Sequence, residues 1–232
     1  MDYKVTLAKN ARCGDGCYWR HPECVNSKLV FTGINKDWLD YKGSLIERSA
    51  TLRREANAKG AFANAKPMWE VVSCVDPVYT AYRDLSKRDI LNQLDFDDLV
   101  LWFLDDGTTC TKRGKNVKKE DYKYLLCIGD FLSDLPGGAL EFLGHMAKVF
   151  DTQKAGSICK NNSKASDRNL VWNMPVGIGR RLVAACRYLA VPGFERKLRT
   201  IQDSTSEIIP EGSRPSGLRL PKRGSLPLAD KI

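Results

Sequence analysis

The sequence predicts a mixed α/β fold in which α and β elements interleave in two pseudo-symmetric αββαββα halves. Three observations predict it. A helical run closing on aspartate and glycine occurs twice, at Gly14-Asp15-Gly16 and at Asp105-Asp106-Gly107. Each closure is followed by the same order of periodicities, strand-like alternation at two residues and helical spacing at three to four. The chain has 232 residues with 43% hydrophobic and 9% aromatic content, enough for a real core, whereas either half alone is small for one. The expected divisions are 1–94, 95–201 and a tail at 202–232.

Val5–Cys13 reads as the first helix, stopped by Gly14-Asp15-Gly16. Cys17–Asn35 reads as two strands, the second Lys28–Ile34. Asp37–Arg48 reads as a helix because Trp38, Tyr41, Leu45 and Ile46 fall on one side. Thr51–Lys66 is polar and basic, and Met68–Val75 is a strand rich in Trp and Val. Asp76-Pro77 opens a helix with proline at its first position, passing through Tyr79, Tyr82 and Leu85. Lys87–Leu94 continues helically into the apolar run Leu99-Val-Leu-Trp-Phe-Leu-Asp-Asp-Gly107.

The order then recurs. Thr108–Asp121 is a polar, basic strand-loop segment, and Tyr124–Ile128 is a strand. Gly138–Phe150 is a helix predicted to turn Leu140, Leu143, Met146, Ala147 and Phe150 inward. Gln153–Asp167 is polar again. Asn169–Pro175 is a strand with Leu170, Trp172 and Met174 alternating, and Gly177–Leu189 a helix with Ile178, Leu182, Cys186 and Leu189 inward. Gln202–Ile232 carries Pro210, Pro215, Pro221 and Pro227 among basic, Gly and Ser residues, a tail that lies along a surface or stays mobile.

A formal charge of +9 and a pI near 9.1 point to a polyanionic partner, with nucleic acid the first candidate. No apolar run reaches 18 residues, so no membrane-spanning helix is expected. Residues 1–20 are polar and charged rather than a signal peptide, so a cytoplasmic or nucleoid location is expected, an organelle being left open. The eight cysteines are scattered, several of them (Cys74, Cys127, Cys186) in apolar segments, which suggests reduced, buried thiols. Cys13, Cys17, His21 and Cys24 are zinc-type residues without the paired C-x2-C spacing, and are expected to be unrelated structural residues. His21 and His145 have no nucleophile partnered with them and read as structural or exposed. Most of Trp19, Trp38, Trp69, Trp102 and Trp172 fall on apolar faces and read as core.

Two acids closing an apolar helix are either exposed at its tip or neutralised by a partner, because buried carboxylates cost several kcal/mol unpaired. A hard divalent cation is an obvious partner. Leu99–Gly107 resembles the second signature motif of the LAGLIDADG homing endonucleases, in the variant ending Trp-Phe-Leu-Asp-Asp-Gly. Residues 8–16, Ala-Lys-Asn-Ala-Arg-Cys-Gly-Asp-Gly, resemble the first copy through Gly14-Asp15-Gly16, while Lys9, Asn10 and Arg12 depart from the family's apolar helix. The likeness covers about residues 5–200, with the doubled element order of the monomeric members.

The resemblance implies two motif helices packed side by side between antiparallel sheets that form a saddle on DNA. It implies a monomeric, intron-associated type of enzyme that cuts double-stranded DNA at one long asymmetric site. Asp15 and Asp106 would be the catalytic, metal-holding acids, with the Gly14 backbone as a further ligand. Asp105 would be a possible further ligand or a helix-end residue. The metal would be Mg²⁺, with Mn²⁺ or Ca²⁺ able to substitute. It would relieve the repulsion of paired acids, activate water and stabilise the leaving oxygen of an in-line displacement. DNA contacts are expected from Lys36 (also a candidate basic residue near the metals), from Arg48, Arg53, Arg54, Lys59 and Lys66, from Lys112, Arg113, Lys115, Lys118, Lys119 and Lys123, and from Lys154, Lys160, Lys164 and Arg168. The alternative is a non-cleaving binder on the same scaffold, an intron RNA maturase or a DNA-binding regulator. A third, remoter class is a zinc-stabilised interaction protein.

Overall fold

A computed structural model of the chain describes residues 2–46, 50–54, 68–111, 122–133, 135, 137–160, 170–189, 191–194 and 198. The first repeat runs α1 (Tyr3–Cys13), β1 (Gly16–Trp19), β2 (Lys28–Gly33), α2 (Lys36–Ser44), β3 (Ala50–Arg54), β4 (Met68–Val72), α3 (Pro77–Asp84) and α4 (Lys87–Gln93). The second runs α5 (Phe96–Asp106), β5 (Gly107–Thr111), β6 (Tyr122–Cys127), α6 (Gly129–Leu132), α7 (Gly138–Val149), β7 (Ser157–Lys160), β8 (Leu170–Met174) and α8 (Val176–Leu189). The strands form two four-stranded antiparallel sheets with the same order, β1-β2-β4-β3 and β5-β6-β8-β7. That shared order is the twofold repeat expected from the sequence.

One hydrophobic core runs through both repeats, and α1 packs against α5 within it. Leu7, Ala8 and Ala11 of α1 are buried, and Leu99 to Leu104 of α5 are buried without exception. Trp102 is ringed edge-on by Phe131 and Phe142, and Phe142 by Trp172, which ties α5 to α6, α7 and β8. Beyond α8 the chain returns to the first repeat. Asn35 Nδ2 donates to the Pro192 carbonyl at 3.0 Å, and Phe194 meets Trp38 edge to face at 5.5 Å.

Helix starts follow local chemistry. Asp2, Asn35, Asp76, Ser86 and Asp95 each accept a hydrogen bond from the first turn of the helix that follows. The last two correct the expectation of continuous helix from Asp76 to Asp106, while Asp76 opens its helix as expected. Leu85 and Leu94 are extended, and Ser86 and Asp95 begin new helices, Asp95 in a reciprocal capping box with Asp98. Both motifs end in glycine for a steric reason. A Cβ on Gly16 would lie 2.7 Å from the Ala11 Cα, and one on Gly107 would lie 2.3 Å from the Phe103 carbonyl oxygen, because the departing strand folds back against its own helix.

Other expectations are corrected. α2 ends at Ser44 rather than Arg48, and the one-turn helix α6 follows β6 directly. Leu140 is 84% exposed, and Phe142, two residues on, fills the core instead. Cys74 and Cys127 are exposed, leaving Cys186 as the buried thiol of that group. Trp19 is exposed on β1, since odd positions of this strand face away from the helices while Tyr18 turns inward. No helix among the described residues is long and apolar enough to cross a membrane.

Candidate active site at the ends of the motif helices

The polar residues of α1 find their partners in the elements packed against it. Lys9 Nζ reaches the Asp98 carboxylate of α5 at 2.5 Å and the Gln93 carbonyl at 3.0 Å, inside the protein. Arg12 donates to the Leu85 carbonyl at 3.2 Å, where α3 has ended and left that oxygen without a helical donor. Asn10 donates to Asp105 at 3.0 Å. The departures from an apolar helix are therefore complements to acids and carbonyls lying 73 to 95 positions away. Burial pushes the Asp98 carboxyl up to about 7 despite the pull of Lys9, and the neighbouring Asp95 adds to the rise.

Asp105 sits at the centre of this interface with its side chain fully buried. Lys42 Nζ, itself fully buried, lies 2.8 Å from each of its oxygens. Trp38 Nε1 donates to Oδ1 at 2.6 Å, Asn10 Nδ2 to Oδ2 at 3.0 Å, and the Asp15 backbone N–H to Oδ2 at 3.4 Å. Lys42 also lies over the Phe31 and Trp38 rings at 4.3 and 4.9 Å. A charge with that many donors repays part of its desolvation, but its oxygens are sealed from solvent. Asp105 thus presents no open oxygen to a cation, which disfavours the ligand role among the two expected for it, ligand or helix-end residue. Sequence reasoning missed Lys42, whose only advance signal is a lysine on the inward face of a helix.

Asp15 and Asp106, one position before each closing glycine, come together differently. Asp15 is exposed and Asp106 half-buried. Both line a cavity of about 330 Å³ whose walls include Arg12, Gly14, Lys87, Cys127 and Asp130. A second cavity of about 340 Å³ lies against Asp15, Asn35, Lys42 and Asp105. Lys87 donates to the Asp130 carbonyl, and its ammonium lies over Phe131. Lys87 and Asp130 were not foreseen. α6, which bears Asp130, follows β6 as α2, which begins at Lys36, follows β2, so the repeat itself was the available signal. Burial, with Asp98 close by, holds the Cys13 thiol well above its usual value, so it stays protonated against this cavity.

Among the described residues no group of three or more His, Cys, Asp or Glu side chains is gathered closely enough to hold a metal ion. Cys13 belongs to α1, Cys17 points outward from β1, and His21 accepts from the Glu23 N–H at 3.3 Å, so these residues do not converge. Two carboxylates with a backbone carbonyl suit an ion that keeps several waters and completes its shell on phosphate, which is the behaviour of Mg²⁺. His145 is structural, its Nε2 lying 2.9 Å from the Leu94 carbonyl.

The basic residues divide sharply. Arg48, Lys59, Lys66, Lys112, Arg113, Lys115, Lys118, Lys119, Lys164 and Arg168 lie outside the described residues, as does the tail at 202–232. Arg53 and Arg54 stand opposite Trp69 and Met68 in the β3–β4 register. Lys123 is exposed on β6 opposite Cys110, on the sheet face turned away from the core. Lys154 and Lys160 are exposed, Lys160 at the end of β7. Lys36 pairs with Asp40 at 2.5 Å and lines neither cavity. Lys28, unforeseen, lies over the exposed Trp19 ring at 4.3 Å on the open face of the first sheet.

Two pseudo-symmetric sheets around a pair of crossing helices, with an acid at each helix end, define the homing-endonuclease class of fold. A solved structure of the homing endonuclease I-WcaI bound to its DNA recognition sequence is similar to this chain with a TM-score of 0.61, covering 85% of this chain and 86% of that one at 18% identity. No family model matches the sequence, and a comparison with curated proteins finds no match. The similarity therefore establishes the fold, the one the LAGLIDADG resemblance implies.

Proposed function

We propose that this chain is a site-specific endonuclease that hydrolyses phosphodiester bonds of double-stranded DNA, with a divalent metal at Asp15 and Asp106. The observation that carries the reading is that two motif aspartates, 91 positions apart, line one cavity at the ends of two packed helices. The neighbouring acid of the second motif is withdrawn into the interior. Asp15, Asp106 and the Gly14 carbonyl would hold Mg²⁺, with Mn²⁺ or Ca²⁺ as substitutes. The metal, when bound, supplies an acidified water and charge neutralisation at the scissile phosphate. The chain's own part is orientation: α1 and α5 fix the two carboxylates, and Lys87 adds positive charge at the cavity wall.

The net charge of +9 and open sheet faces carrying Lys28 and Lys123 support duplex DNA as the partner. The two halves differ in sequence, so the target would be long and asymmetric and the active form a monomer. The test is selection of cleaved sites from a randomised plasmid library in Mg²⁺. Cutting of one long site by the wild type, lost in Asp106→Asn with DNA retardation kept, is the expected result. Retardation without cutting by the wild type would overturn the nuclease reading in favour of a non-cleaving binder.

A further inference from the structure

The metal reading leaves Asp105 and its four donor groups unexplained. A core position would be more cheaply filled by leucine, since replacing a buried ion pair by apolar residues is often neutral or stabilising. The arrangement has two features beyond burial. First, the carboxylate is bonded to both motifs: it belongs to the residue before Asp106, and its Oδ2 accepts from the backbone N–H of Asp15 at 3.4 Å. Second, the first motif is shaped to receive it. Gly14 holds in the first motif the position that Asp105 holds in the second, and a Cβ there would stand 2.3 Å from Asp105 Oδ2. The absence of a side chain in one motif is the space occupied by the acid of the other. Lys42 and Trp38, both from α2, also donate to the carboxylate, Lys42 to both oxygens and Trp38 to Oδ1.

Resting on the reading of Asp15 and Asp106 as the metal-holding pair, we propose that Asp105, clamped by Lys42 and Trp38, is the positioning residue that sets the Gly14-Asp15 turn against Asp106. It touches no substrate and no metal. It acts by holding one motif's backbone to the other's, so that the Asp15 and Asp106 carboxylates keep a fixed separation. Outer partners of metal ligands typically control affinity by tenfold or more through such orientation.

The test is the double variant Asp105→Asn/Lys42→Met in the full chain. It removes both charges together, so neither is left buried alone. The asparagine amide, however, presents N–H to at least one of the donors now facing Asp105, which disrupts the hold on Asp15. Three quantities are read: the melting temperature without metal, Tb³⁺ luminescence with Mn²⁺ competition on protein alone, and DNA cutting in Mg²⁺. The expected result is a folded variant whose Mn²⁺ affinity falls by about tenfold or more, with cutting reduced in step. Wild-type Mn²⁺ affinity in the folded double variant would overturn the positioning role and leave Asp105 purely structural. Should the double variant fail to fold, Trp38→Phe keeps the charge pair and removes one donor, with about threefold weaker Mn²⁺ binding expected on the same argument and unchanged binding overturning it. Asp106→Asn separates the two levels of inference. If the wild type and Asp106→Asn bind Mn²⁺ alike, the metal reading itself falls, and the positioning role with it.

Discussion

The Lys9–Asp98 pair offers the most quantitative test of how the two repeats are joined. The perturbation is Asp98→Asn, measured against pH. In the folded protein the Asp98 carboxyl lies at about 7, raised from 3.8 by burial. A carboxyl raised on folding contributes stability that is fully present below its unfolded value and is lost as pH rises through the folded one. Between pH 5 and pH 8 the wild type should therefore lose about 3 kcal/mol through this residue, from about two units of pH at 1.36 kcal/mol each. Asparagine does not titrate, so Asp98→Asn lacks that loss. Urea denaturation at pH 5 and 8 for both proteins reads it directly, as a gap between their unfolding free energies that shifts by about 3 kcal/mol in favour of the variant as pH rises. Lys9→Met should act in the opposite sense at pH 8, costing about 3–5 kcal/mol by leaving the carboxylate buried without its cation. Parallel pH profiles for wild type and Asp98→Asn, or a neutral Lys9→Met, would refute the claim that this pair is a desolvated ion pair rather than an incidental contact.

Two further outcomes follow from the same geometry. Gly14→Ala places a methyl against a carboxylate held by Lys42, Asn10 and Trp38, so a loss of about 1–3 kcal/mol is expected in thermal or urea unfolding; wild-type stability would show that Asp105 is free to move. Cys17 on β1 and Cys127 and Cys159 on strands flanking Val171 are exposed thiols. Bound target DNA should protect them from maleimide labelling, and equal labelling with and without DNA would place the nucleic acid elsewhere.

Much of the fold was legible because strong periodicities and local caps encode it. Leu99 to Leu104 can only be buried, Asp76-Pro77 can only begin a helix, and two Asp-Gly closures set the repeat. The meeting of Asp15 and Asp106 at one cavity was legible for the same reason, since their place is fixed by position relative to a helix end. The partners of the polar interface were not. Lys42 meets Asp105 across 63 positions, Lys9 meets Asp98 across 89, and nothing local to either residue announces the other. The available signal was an imbalance: α1 carries Lys9 and Asn10 on a face that should be apolar, while α5 carries Asp98 and Asp105 within an apolar run. Leu140 and Cys127 misled because an apolar or thiol side chain within a periodic stretch reads as core, although surfaces are rich in such atoms.

That imbalance also explains why two such similar repeats form one unit rather than two interchangeable ones. The first contributes a lysine and an amide to the helix crossing, and a buried lysine from α2. The second contributes the two acids they meet. Two first repeats packed together would bring Lys9 near Lys9 and leave each Lys42 buried without a counter-charge. Two second repeats would bury four carboxylates with no cation among them, and Asp105 would meet a second Asp105 where it now meets the open space at Gly14. Each error leaves charges uncompensated in the interior, at several kcal/mol apiece. The correct pairing leaves its ion pairs closed at 2.5–2.8 Å. The contact that excludes the wrong pairings thus lies one residue from Asp106 and one hydrogen bond from Asp15. On the proposed reading, the same buried carboxylate serves both the joining of the two halves and the alignment of Asp15 with Asp106.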